Sequence, residues 1–130
     1  MKELYWMGRS LDNLREFPID VKKEVGFSLD TAQRGGRAGS AFPMLGFGGA
    51  NVLEVIANCD GDTYRAMYTV RFEEAIYVLH AFQKKSKRGS KTSKKDMDLI
   101  KVRLKQAQEH YERQYERRAH QATSAKKAER

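Results

Sequence analysis

Val52-Leu53-Glu54-Val55-Ile56-Ala57-Asn58-Cys59-Asp60-Gly61-Asp62-Thr63-Tyr64-Arg65-Ala66-Met67-Tyr68 reads as two strands folded about a two-residue turn. Asp60-Gly61 is a strong hairpin signal, because tight turns of this kind need positive φ and glycine takes it without steric cost. A turn centred there pairs Leu53 with Tyr68, Val55 with Ala66 and Ala57 with Tyr64 on one apolar face. Glu54 then meets Met67, and Ile56 meets Arg65, on a mixed face. A second turn at Glu73-Glu74 continues both faces into a third antiparallel strand. Tyr68 would oppose Leu79 and Ala66 would oppose Ala81 on the apolar side, with Met67 opposite His80 and Arg65 opposite Phe82 on the other. Both registers agree on which side is core, and a one-residue slip would invert every side chain.

Outward from this meander the pattern turns helical. Glu3 to Met7 predicts a short strand ended by Gly8, and Ser10 is suited to cap a short helix reaching about Glu16. Pro18 fits the first turn of a second helix, where its missing N–H costs little. Val21, Val25, Ser28, Leu29 and Ala32 give that helix one inward stripe, and Arg34-Gly35-Gly36 stops it. Six of the ten glycines fall between residues 35 and 50. No Gly-Lys-Ser/Thr follows them, so they read as an irregular connection rather than a nucleotide loop. On the other side, Lys84 to Lys95 carries seven basic residues and no acidic one. Ser93 then has the form of an N-cap, with Asp96 in the first turn where negative charge suits the helix dipole. Met97, Ile100, Leu104, Ala107, Tyr111 and Tyr115 recur at three and four, predicting an amphipathic helix over about 94–115. The expected organisation is one domain over 1–116 and a basic, disordered tail over 117–130.

Composition narrows the class. The 130 residues suffice for one modest core, and the apolar runs are far shorter than the ~20 residues a membrane span needs. Met1 to Trp6 does not read as a signal peptide, and the single cysteine, Cys59, cannot form an internal disulfide. A cytoplasmic protein without a membrane partner is expected. The net charge of +8 is unevenly spread: residues 1–83 hold nine Lys/Arg against eleven Asp/Glu, and residues 84–130 hold sixteen against six. A near-neutral body with a basic last third suits a polyanion, although a solvated basic tail has the same composition.

Arg65, His80 and Lys84 share one sheet face, with Lys85 and the basic run Lys87, Arg88, Lys91, Lys94 and Lys95 beside them. RNA is cut when its own 2′-hydroxyl attacks the adjacent phosphorus. A protein assists by taking that proton, neutralising the phosphoryl oxygens and helping the 5′ oxygen leave. Fixed cations serve the second task, and a histidine or a lysine of lowered pKa the others. Competing readings stand beside these: His80 as a hydrogen-bonded structural residue, Arg65 as the ion-pair partner of Glu54, and the lysines as a solvated loop. The three histidines, His80, His110 and His120, fall in separate segments, so no metal-site spacing is present and no cofactor is expected. Tyr111, Arg113, Tyr115, Arg117 and Arg118 mix aromatics with cations, a pattern that either packs a helix or stacks on RNA.

Leu45-Gly46-Phe47-Gly48-Gly49, Val52-Leu53-Glu54-Val55, Tyr64-Arg65-Ala66-Met67-Tyr68 and Ile76-Tyr77-Val78-Leu79-His80-Ala81-Phe82-Gln83-Lys84-Lys85 together resemble the phage-derived HigB-like killer proteins of the RelE superfamily. Tyr5-Trp6 with Phe17-Pro18, and Asp96 leading into a helix that contains Arg103, extend the resemblance over about 1–108. It implies an α+β, RelE-like fold: a small antiparallel-rich sheet, two N-terminal helices and a long C-terminal helix. It also implies the toxin of a type II toxin-antitoxin pair, an endoribonuclease that cuts mRNA on the ribosome. Such a toxin is held by a helix-turn-helix antitoxin, through which alone it meets operator DNA. Arg65 resembles the family's phosphate-binding arginine, and Lys84 and Lys85 its basic pair at the end of the last strand. RelE relatives carry a tyrosine after that pair, acting on the 2′-hydroxyl. No tyrosine lies between Lys84 and Gln108, so the general base is unassigned. Two rivals stay open: a non-catalytic RNA- or ribosome-binding module on the same fold, and a DNA-binding accessory protein.

Overall fold

In a computed structural model of the chain, the structure describes residues 1–48, 51–84 and 92–116. Five strands form one sheet: β1 (Glu3–Trp6), β2 (Ala41–Pro43), β3 (Val52–Cys59), β4 (Asp62–Thr69) and β5 (Ala75–Lys84). Their order across the sheet is β1-β5-β4-β3-β2, with β1 parallel to β5 and every other pair antiparallel. Helices α1 (Ser10–Arg15) and α2 (Ile19–Gln33) follow β1, and α3 (Lys94–Tyr111) follows β5. This is an α+β, RelE-like architecture. Among the described residues no helix is long and apolar enough to cross a membrane.

The central hairpin forms as its sequence dictates. Asp60 and Gly61 take φ of 50° and 84°, the paired positive values a two-residue turn of this type needs. Leu53↔Tyr68, Val55↔Ala66 and Ala57↔Tyr64 align on one face, and Glu54↔Met67 and Ile56↔Arg65 on the other. The next register holds only in part. Arg65↔Phe82, Ala66↔Ala81 and Met67↔His80 are as expected, but Tyr68 opposes Val78 rather than Leu79. Leu79 is the extra residue of a β-bulge, and the strand turns at Val70–Glu74 rather than at Glu73-Glu74 alone.

Both sheet faces are covered. Leu53, Val55, Tyr68, Ile76, Val78 and Ala81 pack against Leu14 and Phe17 and against the α2 stripe Val21, Val25, Leu29 and Ala32. On the opposite face, Val52, Met67, Tyr77 and Leu79 pack against Ile100 and Ala107 of α3. Leu79 therefore joins the α3 side, not the face that its pairing with Tyr68 would have given it.

Other expectations need correction. Ser10 is the first residue of α1 and does not cap it: it is buried, and its hydroxyl donates to the Val78 carbonyl at 3.4 Å. Pro18 stands at the N-cap of α2, one position before the first turn. The glycine-rich connection is not wholly irregular, since β2 pairs with β3 inside it. After Tyr111 the chain widens into a π-helical turn, Glu112–Glu116, rather than continuing α-helical to 115. That turn keeps Tyr115 stacked on Tyr111, with its hydroxyl 2.8 Å from that of Tyr5. The tail expected over 117–130 lies outside the described residues.

Candidate nucleic-acid interface

Strand parity brings Arg65, His80 and Lys84 to the α3 side of the sheet. Phe82 opposes Arg65, and Lys84 opposes Thr63 one step further along the same face. Arg65 is only 4% exposed despite its charge. Its Nη1 donates to Glu54 Oε2 at 3.3 Å and to Thr92 Oγ1 at 3.2 Å. The ion pair with Glu54 considered from sequence is present: a guanidinium beside a carboxylate on the neighbouring strand. A phosphate that reaches this Nη1 must take the place of the Thr92 hydroxyl.

His80 sits deeper than sequence parity suggests, and the bulge explains its direction. Continuing the alternation of Ile76 and Val78 would turn His80 toward α1 and α2. The extra residue at Leu79 re-aims it toward α3. There its Nε2 lies 2.9 Å from Asp96 Oδ1 and its Nδ1 3.3 Å from Arg103 Nη1, with the ring stacked on Phe82. A guanidinium can only donate, so Nδ1 accepts from Arg103 and the ring proton sits on Nε2, donated to Asp96. Burial lowers the His80 pKa, the Asp96 contact opposes that shift, and Arg103 adds to it. Burial pushes the Asp96 carboxyl up, but hydrogen bonds from Ser93 and His80 outweigh it, leaving the carboxyl below its ordinary range. Ser93 caps α3 as expected, accepting from the Asp96 backbone N–H at 3.1 Å and donating to the Asp96 carboxylate at 2.7 Å.

Arg103 is the member of this network that residue patterning alone did not single out. It anchors to the Leu79 carbonyl at 2.8 Å, and its guanidinium lies against the Cα of Gly8. Only its spacing from Asp96, seven residues along one helix face, carries a signal in sequence. The remaining candidates are less constrained. Lys94 and Lys95 begin α3 with exposed side chains. Lys85, Lys87, Arg88 and Lys91 lie outside the described residues. Among the described residues no three His, Cys, Asp or Glu side chains gather as a metal site would require.

The start of α3 is therefore fixed to β4 and β5 by two polar contacts, Thr92 on Arg65 and Asp96 on His80. Its N-terminal backbone, the positive end of the helix dipole, lies beside the cations, which favours an anion at this corner. No curated protein sequence matches the chain. The family description Phage derived protein Gp49-like (DUF891) matches residues 12–105, a span that holds Glu54, Arg65, His80, Lys84, Asp96 and Arg103. The chain therefore belongs to the phage-derived Gp49-like family, a toxin-like family related to RelE and HigB.

Proposed function

We propose that this protein is the toxin of a type II toxin-antitoxin system, a cytoplasmic endoribonuclease that cuts mRNA on the ribosome without a metal ion. The observation that carries the reading is the Arg65–Glu54 pair, held on a sheet face that runs into the lysine-rich segment of a Gp49-like chain. The 2′-hydroxyl gives its proton to Glu54 and its oxygen bonds to phosphorus. Arg65 neutralises the phosphoryl oxygens as charge builds there, and Lys84 and Lys85 assist departure of the 5′ oxygen with a proton. The product is a 2′,3′-cyclic phosphate. Glu54 thereby fills the role that the absent tyrosine leaves open. His80, with both ring nitrogens engaged, reaches RNA only if one of those bonds opens. The basic run through Lys95 holds the message, and a helix-turn-helix antitoxin holds the toxin.

The burial of Arg65 under Thr92 favours a second reading, a non-catalytic RNA- or ribosome-binding module. Programmed ribosomes carrying an end-labelled message separate the two. The toxin reading expects fragments ending in a 2′,3′-cyclic phosphate, and Arg65→Ala should slow their appearance by ~10²-fold or more, the scale of a lost transition-state donor. Induction without the antitoxin should arrest growth. Normal growth with intact messages, despite folded protein, would sink the toxin reading. Ribosome binding without cleavage would leave the module.

A further inference from the structure

A second cationic site lies away from Arg65, further along α3. Arg71 follows the end of β4, and Lys101 and Lys105 stand one turn apart on the exposed surface of α3. With Phe47, Leu104 and Gln108 they line a groove of about 390 Å³. That volume falls in the range of small-ligand sites, roughly 300–1,000 Å³. Among the described residues none of the three cations forms an ion pair. Phe47 and Leu104 give the groove an apolar floor backed by the α3-side core. Gln108 donates its amide nitrogen to Glu112 at 2.8 Å, while its carbonyl oxygen is buried without a donor.

We propose that this groove binds one nucleotide of single-stranded RNA, with Arg71, Lys101 and Lys105 on its phosphates and its base against Phe47 and Leu104. The proposal rests on the RNA-directed reading above and adds a contact that reading does not contain. The chemistry matches on both counts: cations without acidic partners for the backbone, and an aromatic and an aliphatic side chain for a base's apolar faces. The position supports it as well. Lys94, Lys101 and Lys105 are separated by seven and four residues, so they share one face of α3. They span about 16 Å of helix, enough for a strand to run from the Arg65 corner to the groove. A helical protein partner would instead need a long apolar groove with anchors at every turn. The floor here is two side chains.

The test uses the full-length protein and a short fluorescein-labelled single-stranded RNA, with affinity measured by anisotropy across a salt series. Lys101→Gln/Lys105→Gln is compared with Lys22→Gln/Lys23→Gln, which removes the same charge from α2 on the opposite side of the sheet. The groove variant should lose about tenfold or more in affinity. Its salt slope should flatten by about 1.4, two contacts at ~0.7 each for a single strand. The α2 variant should stay near the unaltered protein, and both should melt as it does. Thiouridine-substituted RNA should also crosslink to peptides containing Phe47 or Leu104. Equal losses from both variants reduce the effect to net charge and overturn the site. So does unchanged binding by the groove variant, or failure of the unaltered protein to bind the RNA. Loss of antitoxin capture by the groove variant, with RNA binding intact, makes the groove a protein-docking surface and overturns the proposal as well. Cleavage on programmed ribosomes is read separately: a protein that cuts messages but fails these tests loses only the groove, and one that cuts nothing loses the parent reading.

Discussion

At the residue scale, His80 has both ring nitrogens engaged inside the fold. Its Nδ1 accepts from Arg103, so a second ring proton would point an N–H at another N–H donor. This adds to the burial that already lowers its pKa. The unfolded chain titrates this histidine near 6.5 and therefore takes up the proton first as pH falls. The neutral-His80 contribution is fully present above that pH and declines below it, until the folded pKa is passed. Asp96 also stabilises only in its deprotonated form: its lowered carboxyl pKa keeps its contribution intact until the pH approaches the ordinary value of 3.8. His110, also lowered first by burial, shares the direction of His80. Stability should thus fall as pH drops through the ordinary histidine value of 6.5, and His80→Gln should flatten that fall, with a further part removed by His110→Gln. Denaturant melts on either side of this value test the expectation, and an unchanged slope in His80→Gln would refute it. Cleavage gives a second readout. Because His80 is 6% exposed with both nitrogens held, His80→Gln should lower the melting temperature while the folded fraction still cuts. A rate loss without a stability loss would instead make His80 a proton carrier.

At the scale of elements, one close approach holds the site together. Gly8 lies between β1 and α1 with φ of 54°, and a Cβ built there would stand 2.5 Å from Arg103 Nη2. Gly8→Ala therefore carries two costs, about 1–2 kcal/mol for a left-handed alanine and the displacement of Arg103 from Leu79 and His80. Calorimetry of Gly8→Ala, Arg103→Met and the double variant should show coupling of at least ~0.5 kcal/mol, since removing Arg103 relieves the clash. Strict additivity would mean that Gly8 serves only its own backbone angle. Which elements were legible follows from the range of their signals. The β3–β4 hairpin was readable because Asp60-Gly61 fixes the register locally and every pair follows from it. The bulge was not, because the choice between Val78 and Leu79 opposite Tyr68 depends on both sheet faces being covered, and Ile100 and Ala107, which cover Leu79, belong to a helix that no local turn signal ties to this strand. The short β2 was hidden among glycines for a similar reason: among the described residues its one strand partner is β3. For the candidate site, parity placed Arg65, His80 and Lys84 on one face. What parity cannot give is depth. The burial of Arg65 and the pairing of His80 come from Thr92, Asp96 and Arg103, which reach the sheet only once α3 docks.

For the whole molecule, the sheet divides its labour between two faces. The α1–α2 face is closed by apolar side chains, whereas the α3 face carries a core at one end and cations at the other. The chain's excess positive charge lies in residues 84–130. This distribution bears on how the proposed cleavage is driven. In a metal-assisted reaction a divalent ion stabilises the charge that develops on the phosphoryl oxygens. In the proposed reaction the Arg65 guanidinium takes that part. The expected outcome is that cleavage persists at its full rate when the toxin has been stripped with chelator. Ribosomes need magnesium for their own integrity, so the measurement must use a pre-assembled ribosome–message complex at constant free magnesium. Only the toxin is treated with EDTA and desalted before mixing. A rate that falls after this treatment and returns when manganese or zinc is restored to the toxin alone would contradict the mechanism and require a metal at the Arg65 corner. A rate unchanged by treatment, yet abolished in Arg65→Ala, would assign the charge stabilisation to the guanidinium.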